Sequence, residues 1–242
     1  MTLFYKIGQW GANTRRRLPP GLKIWMLDAF FMYTPVFLIR LLWKEMDGYF
    51  KFNIPRRNEV VIDAGAWTGH FSLVAARLVG PKGKVVAIEP QKAMCDRLTQ
   101  RFQRLGLKNI TVVNVGLFDR TSELAVSKNP SPGFNVFEVV TQDKDSEKVS
   151  LRTLDETLAA LGIQQVHFIK MDIEGAELEA LAGARSLLSK MHPSIAIASY
   201  HLREGATTSS RVEKILSRFN YTVQTGHPIH LTTWGWYGPR PA

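Results

Sequence analysis

The sequence predicts an α/β domain in which a mainly parallel sheet carries helices on both faces. Three observations carry that prediction. From Glu59 onward, short β-branched runs bounded by turn residues alternate with helix-period stretches, the pattern of strands joined by crossover helices. The first two runs end in an acid, and glycines follow the first, at the strand ends where open parallel sheets bind ligands. Of the 242 residues 45% are apolar, enough for one sizeable core, so disorder, collagen-like repeats and a small disulfide scaffold are excluded. Cys95 is the single cysteine and cannot form an internal disulfide, so a reducing compartment, by default the cytoplasm, is expected, with the membrane surface as the second location.

Residues 1–58 read as a basic, apolar helical extension and 59–242 as the main domain. The extension holds ten Lys/Arg against three Asp/Glu, whereas the remaining 184 residues hold 21 against 18. It carries Arg15-Arg16-Arg17, turns at Pro19-Pro20-Gly21, and is apolar from Ile24 to Trp43 except for Asp28 and Arg40. The run is long enough for a membrane span, but an aspartate near a helix centre costs about 2.5 to 3.5 kcal/mol and Pro35 breaks the helix. The leading expectation is a helix or broken helix packed on the domain or forming a substrate lid. In-plane contact with an anionic membrane comes second, since Trp, Phe and basic flanks suit an interface, and a true span third. A signal peptide fits poorly, because the apolar part lies far from Met1 and no small-residue cleavage site follows it.

The expected strands are Val60 to Ile62, Val85 to Ile88, Ile110 to Val113, Val166 to Ile169 and Ile195 to Ala198. Phe71, Val74, Ala75 and Leu78 give the first intervening helix one apolar face, and Met94, Leu98, Phe102 and Leu105 give the second another. Thr153-Leu154-Asp155-Glu156 and Ser210-Arg211-Val212-Glu213 both have the capping-box form that opens a helix. Between Asp119 and Ser150 the helical period is lost, and Asn129-Pro130-Ser131-Pro132-Gly133 predicts the turn of a β-hairpin insertion. Tyr221 to Val223 and Ile229 to Trp236 are expected as an antiparallel pair on the sheet edge.

The first strand runs into Asp63-Ala64-Gly65-Ala66-Trp67-Thr68-Gly69, and the second ends in Glu89, where an acid suits a ribose diol. A dinucleotide fingerprint would be G-x-G-x-x-G; here the spacing is D-x-G-x-x-x-G, with an acid that repels a pyrophosphate but suits an ammonium and a sulfonium. S-adenosylmethionine is thereby favoured over NAD. Glycines serving only close helix packing are the bland alternative. At the fourth strand, Lys170 and Asp172 fall on one face, with Glu174 just beyond and Glu177 in the first helical turn. Helix-terminus complementarity and a structural ion pair explain these groups singly; together they read as a site.

These segments resemble the FkbM-type S-adenosylmethionine-dependent methyltransferases. The resemblance is carried by Val60 to Gly69, Val86-Ala87-Ile88-Glu89-Pro90, Asn114-Val115-Gly116-Leu117, Thr153 to Glu156 and Ile169 to Glu177, and covers about Glu59 to Val223. It implies a class I methyltransferase, Rossmann-like sheet of seven strands, the last antiparallel, and O-methylation of hydroxyls on sugars, polyketides or related small molecules. Where the family often has an acid near the end of the fifth strand, this chain has Ala198-Ser199-Tyr200-His201.

The expected cofactor site joins Asp63 and the Gly65, Ala66, Trp67 and Gly69 backbone (methionine part), Glu89 with Pro90 (ribose), Asn114, Val115 and Gly116 (adenine side) and Asp172 (methyl group), with S-adenosylhomocysteine as product. His201 is the expected base, with an unperturbed pKa of about 6.5, and Lys170 its rival if desolvation lowers its pKa. Glu174, Glu177, Tyr200 and Trp234 are candidate acceptor contacts, Trp234 with an edge-strand core role as the alternative. No metal is expected, because no His/Cys spacing for one is present. The acceptor is expected to be a small-molecule, glycan or lipid-linked hydroxyl. The domain's modest charge argues against nucleic acid, so RNA 2′-O-methylation is the alternative enzyme, and a non-enzymatic membrane scaffold the alternative class.

Overall fold

The computed structural model describes residues 20–127, 146–226 and 230–239. The Arg15 to Arg17 cluster, the Asn129 to Gly133 turn and Ile229 lie outside the described residues. The chain enters through α1 (Pro20–Tyr33), α2 (Val36–Leu42) and α3 (Lys44–Tyr49). Proline at the first helical position costs no hydrogen bond. Pro35, extended at φ −53° and ψ 138°, separates α1 from α2, and Trp43, extended at φ −118°, turns the chain into α3. Among the described residues no helix is long and apolar enough to cross a membrane.

The helices pack on the domain. Asp28, which argued against a span, is buried and receives Arg101 Nε at 2.7 Å and Arg104 Nη2 at 2.7 Å, both from the helix that follows the second strand. Phe31 is fully buried, stacks on His70 at 4.5 Å and meets Trp43 edge-on at 5.0 Å. Arg77 donates to the Phe31 and Thr34 carbonyls, closing the end of α1. Burial, reinforced by Arg101, holds the His70 imidazole down at about 4, so it packs as a neutral ring.

The main sheet contains β1 (Val60–Ala64), β2 (Lys84–Ile88), β3 (Ile110–Val113), β7 (Phe168–Met171), β8 (Ser194–Ala198), β11 (Thr222–Gly226) and β12 (Thr232–Trp236), in the order β11-β12-β8-β7-β1-β2-β3. All neighbours are parallel except β12, which lies antiparallel between β8 and β11. Helices α4 (His70–Val79) and α5 (Lys92–Arg104) follow β1 and β2, and α6 (Leu154–Ala160), α7 (Glu177–Ala182), α8 (Arg185–Lys190) and α9 (Ser209–Ser217) complete the layers. The central strands are buried on both faces, as parallel strands covered by helices must be. Ile62, Ile88 and Ile169 enter the core of α6 to α9, whereas Val61, Val85 and Phe168 enter the core of α1 to α5, which also contains Ile39, Met46, Tyr49 and Phe50. The described extension thus shares a core with the sheet.

The expected hairpin insertion is present as β5 (Ser122–Ser127) paired antiparallel with β6 (Ser146–Arg152), joined on the other side of β6 by β4 (Gly116–Leu117). Thr153 caps α6 with the predicted capping box, Thr153 accepting from the Glu156 N–H and Glu156 accepting from Thr153. The second expected box is absent: α9 begins two residues earlier, with Thr208 in place of Ser210 at the cap and no side-chain cap bond. The reason is the preceding small hairpin, β9 (Leu202–Arg203) with β10 (Ala206–Thr207), which delivers Thr208 N–H onto the His201 carbonyl at 3.0 Å. β7 also starts two residues later than the apolar run suggested, because β1 sets its register at Val61 opposite Phe168.

Candidate active site

The strand order reverses at β1, whose neighbours are β2 on one side and β7 on the other. Ligands of open parallel sheets bind outside the carboxyl ends at such a point. The register places Asp63 of β1 directly beside Lys170 of β7. Both side chains are buried, with Lys170 Nζ 3.1 Å from Asp63 Oδ1. Ser72 Oγ donates to Asp63 Oδ2 at 2.6 Å, and Lys170 Nζ donates to the Gly65 carbonyl at 2.7 Å and the Ala64 carbonyl at 3.3 Å.

Two expectations are corrected by this arrangement. Asp63 has no exposed surface, so it does not face a ligand; through Lys170 it pins the loop that does. Lys170 is not a desolvated base. Burial works against its charge, but the Asp63 and Asp172 carboxylates outweigh burial and hold its pKa above the ordinary lysine value.

The glycines answer to close approaches within the protein. Gly65 has φ +77°, and a Cβ there would overlap the Asp172 carbonyl. Gly69 has φ +75°, and a Cβ would lie 2.6 Å from Leu98 and 2.8 Å from Phe102 of α5. The loop is otherwise tied to the end of β2: Gly65 and Ala66 N–H both reach the Ile88 carbonyl at 3.0 Å, and Trp67 N–H reaches Glu89 Oε2 at 3.0 Å. Glu89 Oε1 accepts from Gln91 N–H at 3.1 Å, so each carboxylate oxygen keeps a lone pair for a further donor. Burial raises the Glu89 pKa, opposed by those two backbone donors. Asn114 stands exposed and donates to the Glu89 and Pro90 carbonyls at 3.1 and 2.8 Å, whereas Val115 and Gly116 are buried behind it. Gly65, Trp67, Pro90, Asn114 and Asp172 are the solvent-accessible members of this edge.

On the β7 side, groups from two separate parts of the chain converge on Asp172. Tyr49 Oη of α3 donates to Oδ2 at 2.9 Å, Tyr200 Oη to Oδ1 at 3.4 Å, and His201 Nε2 stands 3.6 Å from Oδ1. The His201 ring is clamped: Nδ1 lies 2.9 Å from fully buried Glu177 and Nε2 lies 3.4 Å from Glu174. Glu177 also accepts from the Gly175 N–H at 3.1 Å, and Arg203 donates to the Gly175 carbonyl at 2.9 Å, locking the hairpin that bears His201 to the loop after β7. Desolvation lowers the His201 pKa, but Glu174, Glu177 and Asp172 overcome it and hold the group at about 10. His201 is therefore an imidazolium at neutral pH, not the free base expected from its sequence position. Burial and then Asp172 raise the Tyr49 and Tyr200 phenols, so both remain proton donors to Asp172.

The structure thus brings together Asp172, Glu174, Tyr200 and His201, leaves Glu177 buried behind His201, and removes Trp234. Trp234 sits in the core, its Nε1 donating to the Gly48 carbonyl at 2.8 Å and its ring meeting Phe52 at 5.0 Å. Two residues here carried no sequence signal: Tyr49, 123 positions from Asp172, and His230, whose ring lies 5.6 Å from both Tyr49 and Tyr200. Among the described residues no His/Cys/Asp/Glu group is arranged to hold a metal ion.

Comparison with known proteins bears on family and fold. The family model for the methyltransferase FkbM domain matches residues 63–223. The AMB antimetabolite synthetase AmbE of Pseudomonas aeruginosa is 25% identical over 76% of this chain, which spans only 11% of that protein. The methyltransferase sdnD of Sordaria araneosa is 26% identical over 65% of this chain and 69% of its own. In fold, the chain is similar to the methyltransferase FkbM of Methylobacillus flagellatus KT, with a TM-score of 0.56, 20% identity, and coverage of 94% of this chain and 60% of that one. It is also similar in fold to the fibrillarin of Aeropyrum pernix, solved with natively bound S-adenosyl-L-methionine, at a TM-score of 0.52, 13% identity, and coverage of 79% and 74%.

Proposed function

The chain belongs to the FkbM methyltransferase family and is an S-adenosylmethionine-dependent enzyme, and from that premise we propose that it methylates a hydroxyl of a sugar or lipid-linked small-molecule acceptor, with Asp172 receiving the proton. The single observation that carries this reading is the convergence of Tyr49, Tyr200 and His201 on the Asp172 carboxylate at the end of β7.

The residues present fit the cofactor. The loop from Gly65 to Gly69 would hold the methionine part with its backbone, the free lone pairs of Glu89 would accept ribose hydroxyls, and Asn114 would border the adenine. The chemistry the cofactor supplies is a methyl group on a sulfonium, a good leaving group. In this reading Asp63 and Lys170 keep the loop in place, and Ala66 and Pro90 shape its rim. Glu177 holds His201 charged and oriented. That imidazolium and the Tyr49 and Tyr200 hydroxyls orient Asp172, whose remaining lone pairs would accept the acceptor hydroxyl and take up its proton as the oxygen is methylated. Glu174 and Tyr200, on the accessible side of this cluster, would meet the acceptor. Residues 1–58 act as an arm of the 59–242 domain that contributes Tyr49 and meets an anionic membrane.

The test is transfer of isotope-labelled methyl from S-adenosylmethionine to free sugars, glycans and lipid-linked saccharides by the wild type and Asp172→Asn. Label on an acceptor oxygen, with turnover in the variant reduced by about a hundredfold or more while the cofactor still binds, is the expected result. Label recovered only on nitrogen or carbon, or an Asp172→Asn enzyme with unchanged turnover, refutes it.

A further inference from the structure

α1 is apolar all round, yet the domain covers only its inner face. Asp28 and Phe31 point inward, whereas Leu22, Trp25, Met26 and Tyr33 recur at helical spacing on the opposite side, and Phe37 and Leu41 continue the stripe along α2. Trp25 is 65% exposed, Phe37 69% and Tyr33 81%, although a helix with apolar residues on every face calls for an apolar surrounding on every face.

The flanks say what that surrounding is. Lys23 lies on α1, and an open groove of about 220 Å³ between α2 and α3 is lined by Phe37, Leu41, Arg40, Lys44 and Asp47, of which Asp47 pairs with Arg40 at 3.1 Å. Glu45 is the one other exposed acid of α1 to α3, and Asp28 is neutralised within the domain by two arginines. Lys23, Arg40 and Lys44 are the cations that α1 to α3 place beside the stripe, and residues 1–58 as a whole hold ten Lys/Arg against three Asp/Glu.

We propose that the outer face of α1 and α2 docks in the plane of an anionic lipid surface, the aromatic and aliphatic stripe entering the acyl boundary and Lys23, Arg40 and Lys44 meeting headgroup phosphates. This deepens the reading of a lipid-linked acceptor and rests on it. α1 spans only 14 residues and α2 only 7, lengths that suit lying in an interface and not crossing it. The same segment sends Tyr49 inward to Asp172, so the surface that meets lipid and the group that orients the proton acceptor belong to one stretch of chain.

The test is cosedimentation of the full chain with phosphatidylcholine vesicles and with phosphatidylcholine vesicles containing phosphatidylglycerol, at low and high salt. Trp25→Ser with Phe37→Ser serves as the variant, since neither side chain packs in the core. The expected result is binding to the anionic vesicles that weakens with salt, and a partition coefficient at least about tenfold lower in the variant. No binding to anionic vesicles, equal binding by the variant, or a lipid-independent dimer that the double substitution dissociates overturns the proposal, the last by assigning the stripe to a second copy. Calorimetric binding of S-adenosylmethionine by the wild type separates the outcomes: no vesicle binding by the wild type with cofactor binding intact refutes docking alone, whereas vesicle binding without cofactor binding refutes the enzymatic reading.

Discussion

Replacing Glu177 by Gln is the sharpest perturbation the site offers, because it removes one charge from the clamp around His201 and almost no volume. The His201 pKa is raised from 6.5 to about 10 by its carboxylates against the opposing pull of burial. A pKa raised by folding stabilises the native state fully below the unfolded value and loses that contribution as pH climbs through the folded value. For these two values the contribution is roughly 4 kcal/mol at pH 7 and roughly 1.5 kcal/mol at pH 9, so roughly 2.5 kcal/mol disappears between them. For a domain of this size that is a fall in Tm of about 5 to 10 °C. The assay is thermal unfolding from pH 6 to 10 for the wild type, Glu177→Gln and His201→Asn, with the His201 ring titrated by NMR. Glu177→Gln should be less stable at pH 7 and show a shallower decline between pH 7 and 9, and His201→Asn should lack the His201 share of that decline altogether. A wild-type curve that falls no more steeply than that of His201→Asn would show that His201 is not held charged, and would reopen its use as a base.

Two further outcomes follow from the loop and the arm. Gly65→Ala places a methyl group on the Asp172 carbonyl in a backbone region costly for alanine, so calorimetry should find cofactor binding weakened by about tenfold or more, with a lower Tm; unchanged affinity would mean the loop has another stable course. Asp28→Ala leaves Arg101 and Arg104 without their shared buried carboxylate, at a cost of about 3 to 5 kcal/mol, which should open α1 to limited proteolysis before the sheet is cut; equal rates of cleavage in variant and wild type would show that Phe31 and its aromatic neighbours hold the helix unaided.

What was legible in the sequence is what local chemistry decides. β3 falls on Ile110 to Val113 because its apolar run and flanking turns leave one choice, and the Thr153 cap needs only residues within one turn. The acid of β1 and the glycines after it read as a ligand edge, and the cluster at the end of β7 reads as chemistry. Their internal wiring was hidden, because it depends on register: Asp63 meets Lys170 only since the two strands align those positions, and that pairing turns one expected ligand contact and one expected base into an anchor for the loop. His201 was expected as a free base, but the carboxylates beside its ring come from α7 and the loop after β7, which its local sequence does not announce. Tyr49 gave no signal at all; an aromatic at the end of an apolar run reads as core until the fold brings its hydroxyl to Asp172. Trp234 misled in the opposite sense, because an aromatic cluster near an edge resembles a sugar platform while the sheet in fact buries it beside Phe52.

β12 slides between two strands that are both made before it, and this imposes an order on the birth of the protein. Until residues 232–236 leave the ribosome, β8 has a bare flank of unpaired backbone groups, and α3 lacks the tryptophan that donates to the Gly48 carbonyl across 186 residues of sequence. α3 thus waits for its last partner until β12 is made. α1 needs no such wait, since His70, Arg101 and Arg104, its partners in α4 and α5, are made soon after it.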